Sequence, residues 1–155
     1  MRAFALILLS AVFAAGCSTD NIGYDASADP FAQLSNAKAR ARAERKLILV
    51  VAGGDWCSAC HHLHEFLAED AATQARLAGA FIEVHVYLGD ENFNEEFFAT
   101  LPHSDYVPHY WILSAAGTVL GEQDPEDLEF DDSDDFDPQR FERFVDDWKA
   151  RTPSV

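Results

Sequence analysis

Leu47-Ile48-Leu49-Val50-Val51-Ala52-Gly53-Gly54-Asp55-Trp56-Cys57-Ser58-Ala59-Cys60 is the stretch on which the reading of this chain turns. A continuous apolar run of this kind is expected of a buried central strand in an α/β sheet. Gly53-Gly54 breaks the strand, and Trp56-Cys57 opens a helix. A cysteine at a helix N-terminus meets unpaired N–H groups and the positive end of the helix dipole, which favour a thiolate. A second cysteine one turn on, Cys60, is placed to reach back and close a disulfide. The segment therefore points to dithiol–disulfide exchange. A structural disulfide is the bland alternative, but a four-residue loop constrains the unfolded chain little.

The chain has 155 residues, the size of one domain, and 48% of them are hydrophobic, enough for a sizeable core. Its net charge of −16 argues against nucleic acid and anionic membrane surfaces as partners. It has only three cysteines, so it is no disulfide-dense scaffold. The third, Cys17, ends an N-terminal segment with Arg2 at its start and an almost wholly apolar run from Ala3 to Ala15. That run is short for a membrane span and reads as a secretion signal. Its end, Ala14-Ala15-Gly16-Cys17, resembles the bacterial lipobox, with Ala14 in place of the usual leucine. Residues 1–16 are thus expected to be a signal peptide and Cys17 a lipidation site rather than a redox thiol. Ser18 after it favours the outer membrane. Cleavage removes Arg2 and leaves 10 basic against 27 acidic residues. The compartment implied is the periplasm, where disulfides persist.

Residues 17–29 read as the lipidated cysteine and a flexible tether, and residues 30–152 as the folded domain. Asp29-Pro30 is a helix start, with Asp as N-cap and Pro at the first helical position. The helix runs to about Arg45, with Phe31, Leu34, Ala37 and Ala41 at helical spacing. After the Cys57 helix, with its Leu63, Phe66 and Leu67 stripe, Asp70 caps a further short helix to about Leu77 that Gly79 ends. Phe81 to Leu88 is a strand, Glu91 to Leu101 a helix with Phe93, Phe97, Phe98 and Leu101 on one side, and His109 to Ser114 a strand. Ala115-Ala116-Gly117 turns the chain back through Thr118 to Gly121 as a hairpin. Glu122 to Asp137 carries ten Asp or Glu and reads as a solvated, repulsive loop. Pro138 opens the last helix, with Phe141, Phe144, Val145 and Trp148 at helical spacing.

This order, α-β-α-β-α-β-β-α, with Trp56-Cys57-x-x-Cys60 after the first strand and Val107-Pro108 before the third, resembles the thioredoxin fold over roughly residues 30–150. Ala41-Arg42-Ala43-Glu44-Arg45-Lys46 before the strand and Gly54-Asp55-Trp56-Cys57-Ser58-Ala59-Cys60 after it look like the envelope thioredoxin-like proteins. The resemblance implies an α/β thioredoxin fold, a central mixed sheet of about four strands flanked by helices. It implies a thiol–disulfide oxidoreductase without a cofactor, in which Cys57 attacks and Cys60 resolves. Trp56, Val107 and Pro108 frame the substrate groove, with Pro108 cis. The partners implied are protein dithiols or disulfides of the envelope, a membrane electron donor being a further candidate. One departure stands out. Thioredoxins carry a buried acid five residues before the tryptophan, where this chain has Val51; Glu83 and Asp55 are candidates to replace it.

Four other readings compete with this one. Cys57-x-x-Cys60-His61 also spells a c-type haem attachment site, but the only Met is Met1, and the strand-rich context speaks against it. Cys57, Cys60, His61 and His64 share one helix face and suit copper or zinc as ligand types. Positions 57 and 64, however, lie about 10 Å apart along a helix, too far for one ion to take all four. Asp131, Ser133, Asp135 and Glu142 fall at EF-hand offsets, with Phe136 where a glycine is needed. Three of the Cys/His four with an outside ligand keep a copper- or zinc-binding, or chaperone-like, module as an alternative function, while no metal is assigned to the site. A non-catalytic interaction domain that keeps the fold is the last alternative. Among the remaining histidines, His109 beside Pro108 is expected nearest the sulfurs.

Overall fold

The computed structural model describes residues 22–151; the expected signal peptide and Cys17 lie outside them. Asp29 starts α1 (Pro30–Glu44) by accepting hydrogen bonds from the N–H groups of Phe31 and Ala32, and Arg45 closes it in the left-handed region at φ 56°. β1 (Leu47–Gly53) follows, then α2 (Ser58–Glu69), α3 (Ala71–Ala80) and β2 (Phe81–Tyr87). A single turn, α4 (Glu95–Phe98), precedes β3 (His109–Leu113) and β4 (Val119–Gln123), and α5 (Pro138–Ala150) completes the fold. The sheet has four strands in the order β2-β1-β3-β4. β1 runs parallel to β2, whereas β3 is antiparallel to both β1 and β4, as the hairpin requires.

Every residue of β1 is buried, because both faces of the sheet are covered. Side chains alternate between faces along a strand. Leu47, Leu49 and Val51 therefore join Phe81, Tyr110 and Ile112 on one face, packed against Leu63, Leu77 and the Phe141, Phe144, Val145 and Trp148 stripe of α5. Ile48, Val50 and Ala52 join Val84, Val86 and Trp111 on the other, under Leu34, Ala37 and Ala41 of α1 and Phe97 of α4. The sheet thus carries two cores, and the cysteines belong to the first.

Several local expectations change. The helix over 91–101 shrinks to one turn. Asn94 adopts φ 46°, its N–H donates to the Asn92 side chain at 2.9 Å, and its amide donates to the Tyr87 carbonyl at 2.8 Å. Asn side chains that engage nearby backbone in this way compete with helical hydrogen bonding. α3 runs through Gly79 to Ala80, since Leu77 and Ala80 are held in the core and Phe81 N–H still bonds Leu77. Residues 22–28, read from the sequence as part of a tether, are packed: Ile22 and Tyr24 are 4% and 6% exposed and sit in the first core. The acidic segment is also no free loop. It forms a 3-10 helix at Pro125–Leu128, and Leu128 and Phe136 are buried, Phe136 against the rings of Phe66 and Phe141. The four EF-hand positions do not converge: Asp131 pairs with Arg140 and Glu142 with Arg76.

Candidate active site

The site lies where β1 ends and α2 begins. Gly53 is the last residue of β1, and a Cβ there would sit 2.6 Å from Tyr24 Oη and 2.7 Å from Cys60 Sγ. Only a residue without a side chain lets the strand end and the sulfur approach so closely. Cys57 N–H bonds the Gly54 carbonyl at 3.0 Å, which folds the turn and makes Cys57 the N-cap of α2. Cys57 and Cys60 are joined in a disulfide, with Cα atoms 5.2 Å apart. The Cys60 N–H donates to Cys57 Sγ at 3.1 Å. On reduction, this N–H and the helix N-terminus favour negative charge on the Cys57 sulfur.

The two sulfurs face different surroundings. Cys57 Sγ is 3.8 Å from the Val107 carbonyl oxygen, and the Val107–Pro108 bond is cis, as expected. Trp56, 58% exposed, lies beside this junction with its Nε1–H donating to the Leu88 carbonyl at 2.9 Å. A Cβ on Gly89 would meet that indole nitrogen at 2.4 Å, so a glycine in this loop lets the ring lie flat on it. Trp56, Cys57, Cys60, Val107 and Pro108 therefore gather in one place, from two separate segments.

Cys60 points inward, toward a small cavity of about 40 Å³ whose lining includes Tyr24, Val51, His64, Glu83 and His85. The Tyr24 hydroxyl donates to the Ala52 carbonyl at 3.5 Å, and its ring lies 5.0 Å from that of His85. Burial, then the charges of Glu83 and Asp55, hold the Tyr24 hydroxyl well above its ordinary range; Tyr110 is raised likewise, by burial and then Glu83. Both phenols are neutral at physiological pH. Of the two acids considered for the place of Val51, Glu83 lines this cavity, 3.4 Å from His85 Nε2. Asp55 instead accepts from the Ile22 N–H at 3.3 Å. Tyr24 escaped the sequence reading because it lies in the segment taken as a tether.

The histidines divide. His61 Nε2 is 2.8 Å from the Asp55 carbonyl oxygen, and His62 lies against the Phe136 ring. His109 is not near the sulfurs. It pairs with Ala52 across the β1–β3 ladder and so shares the second face, where its ring meets Trp111 at 4.6 Å and its Nε2 lies 3.4 Å from Glu122 Oε2. Strand alternation carries it away from Pro108's neighbour sulfur despite its adjacency in sequence. Among the described residues, no three His, Cys, Asp or Glu side chains converge on a possible metal position.

Outside the disulfide, a groove of about 730 Å³ opens beside Trp56 and Val107. Phe93 and Tyr106 flank it, 51% and 66% exposed. Sequence reasoning assigned Phe93 to a helix stripe; its exposure follows from the Asn92–Asn94 turn that replaces that helix.

A dithiol–disulfide pair at a strand–helix junction, beside a cis-proline on a four-stranded mixed sheet, defines the thioredoxin-fold class of redox proteins. The thioredoxin-like family model matches residues 29–115, more than half of the chain, and the chain belongs to that family. No curated protein sequence matches the chain significantly. Among solved structures it is similar to the disulphide isomerase from Xylella fastidiosa Temecula1, with a TM-score of 0.67 and 25% identity over 82% of this chain and 96% of that one. With this fold and the Cys57–Cys60 pair, the protein is a thiol–disulfide oxidoreductase that acts on protein disulfides or dithiols.

Proposed function

We propose that the protein is a membrane-anchored thiol–disulfide oxidoreductase of the bacterial periplasm, in which Cys57 is the attacking sulfur and Cys60 the resolving one. The observation that carries the assignment of roles is the opposite surroundings of the two sulfurs. Cys57 Sγ borders Val107 and the outer groove, whereas Cys60 Sγ is turned to Gly53 and the inner cavity. In the reducing direction, the Cys57 thiolate attacks a client disulfide, forms a mixed disulfide and expels one client thiolate. The Cys60 thiolate then attacks Cys57 Sγ, closes the intramolecular disulfide and releases the second client thiolate. Two electrons pass to the client, and the reverse sequence oxidises a dithiol. Trp56 and the Val107–Pro108 segment form the walls against which the client chain lies.

Replacing Cys60 by Ala is expected to trap a client–Cys57 mixed disulfide, seen as a thiol-sensitive adduct, and replacing Cys57 to trap none. Equal trapping by both, or by neither, overturns the roles. The reduction potential, read by redox-buffer titration with alkylation, sets the direction: about −120 mV marks an oxidant and about −270 mV a reductant.

The anchor rests on Arg2, the apolar run and Ala14-Ala15-Gly16-Cys17. Cys17 and Ile22, the first described residue and a buried one, are separated by five peptide steps, at most about 18 Å of extended chain. A lipid on Cys17 therefore keeps the domain close to the bilayer, on the outer membrane by the preference of Ser18, within reach of envelope clients and of a membrane electron donor. Metabolic labelling with palmitate is expected to mark the protein and to fail for Cys17→Ala, which also leaves the membrane fraction. Labelling that survives the substitution rules the anchor out.

A further inference from the structure

The groove beside the disulfide combines two features that bear on what it accepts. Its floor and walls are aromatic: Trp56, Phe93 and Tyr106 are each more than half exposed, which is unusual for side chains of this size unless they meet a partner. Its rim is acidic, with Asp90 and Glu91 from the β2–α4 connection and Asp105 from the loop before β3. The groove reaches the reactive sulfur through Val107, which lines it and whose carbonyl oxygen is 3.8 Å from Cys57 Sγ.

Among the described residues, no Lys or Arg forms an ion pair with Asp90, Glu91 or Asp105. Between Lys46 and Arg140 the sequence holds a single Lys or Arg, Arg76. Arg76 lies on α3 and pairs with Glu142 and Asp146 of α5. Glu95 and Glu96 of α4 line the adjoining surface with Asp90, Glu91 and Phe93, and the exposed His103 has its Nε2 2.9 Å from Asp105 Oδ1. The fields of the acids add over an opening that leads to the disulfide.

We infer that this groove selects cationic clients: it takes an extended segment that seats an apolar side chain among Trp56, Phe93 and Tyr106 and sets Lys or Arg near its reacting cysteine, against Asp90, Glu91 and Asp105. The inference deepens the proposed function and rests on it. Charges on an exposed rim act mainly through encounter rate and are screened over a Debye length of about 8 Å at physiological salt, so the selectivity is kinetic and salt-dependent.

The test is single-turnover reduction of two matched peptide disulfides by the pre-reduced protein. In both, a leucine precedes the cysteine, and two lysines or two glutamates flank the pair. Each rate is divided by that of the same peptide with dithiothreitol, which removes the effect of the flanking charge on the leaving thiol. The corrected lysine-to-glutamate ratio is expected to be about tenfold at low ionic strength and to fall toward one at high salt. It is expected to invert in Asp90→Lys/Asp105→Lys, whose folding is checked by circular dichroism. Phe93→Ala is expected to slow both peptides by a similar factor and leave the ratio in place. A corrected ratio near one at low salt, or a ratio that the charge reversal does not move, overturns the inference. Turnover of hydroxyethyl disulfide, a small neutral substrate, by the wild type separates the two failures: if it proceeds, only the selectivity is lost, and if it does not, the exchange activity itself is lost.

Discussion

At the scale of the residue, the site depends on one missing side chain. Gly53 ends β1 against both Tyr24 Oη and Cys60 Sγ, at distances no Cβ tolerates. Gly53→Ala must push the phenol or the disulfide aside, and overpacking of this kind typically destabilises by about 1–3 kcal/mol. Urea unfolding of the oxidised protein is expected to show that loss, and Tyr24→Phe in the same chain to recover part of it by removing the hydroxyl. If Gly53→Ala unfolds like the wild type, the close approach is not real. Val51 belongs to the same neighbourhood. It stands where the resemblance to thioredoxins implies a buried acid, and it lines the Cys60 cavity. Of the cavity's polar groups, Glu83 is a candidate the sequence offers, whereas Tyr24 and His85 come from segments 27 residues before and 34 residues after Val51. Nothing in local periodicity connects positions so far apart.

At the scale of the element, capping and alternation explain what the sequence showed well. Asp29, Asp70 and Asp137 each stand as N-cap, two of them before a proline, and α1, α3 and α5 begin where those residues say. Asp70 also makes a pH prediction. Bonds from the Thr73 N–H, then its hydroxyl, hold the Asp70 carboxyl below its ordinary range. A folded-state pKa below the unfolded one means that the contribution is present above the unfolded value, about 3.9, and is lost as pH falls through the folded one. Asp70→Ala is therefore expected to lose about 1 kcal/mol at pH 7, with the gap to wild type narrowing below pH 4 in denaturant titrations. A gap that holds constant down to pH 2 would remove the ionised cap from the explanation. α4 is the element least legible. The Phe93, Phe97, Phe98 and Leu101 spacing suits a helix, but Asn92 and Asn94 spend their side chains on backbone groups. Only Phe97 of the four is fully buried, and Phe93 is left to the groove.

At the scale of the whole molecule, residues 22–28 pack with the domain. Ile22 and Tyr24 pack in the core that holds the cysteines, and Ile22 N–H bonds Asp55 beside Trp56. Full burial of a large apolar side chain stabilises by about 1.5–3 kcal/mol. A chain starting at Asp29 is thus expected to unfold several kcal/mol more easily than one starting at Ser18, and to expose the Cys60 cavity. Equal denaturant midpoints for the two chains would return the domain boundary to residue 30. The acidic stretch is likewise held by the fold, with Leu128 and Phe136 buried and Arg140 against Asp131 and Asp137.

The sequence by itself determined the redox pair, the strand and helix on either side of it, the order of elements and the cis-proline junction. The pair, its flanking elements and their order follow from apolar periodicity, capping residues and motif spacing, which act over a few residues or repeat along an element; the cis proline is implied by the resemblance to the thioredoxin fold. Tertiary structure alone decided which surroundings each sulfur meets, that His109 faces away from them, that Tyr24 and Gly53 enclose Cys60, and that Trp56, Phe93 and Tyr106 share one acidic groove. Those relations depend on strand register and on how loops from separate segments pack. A single position's residue type does not carry them.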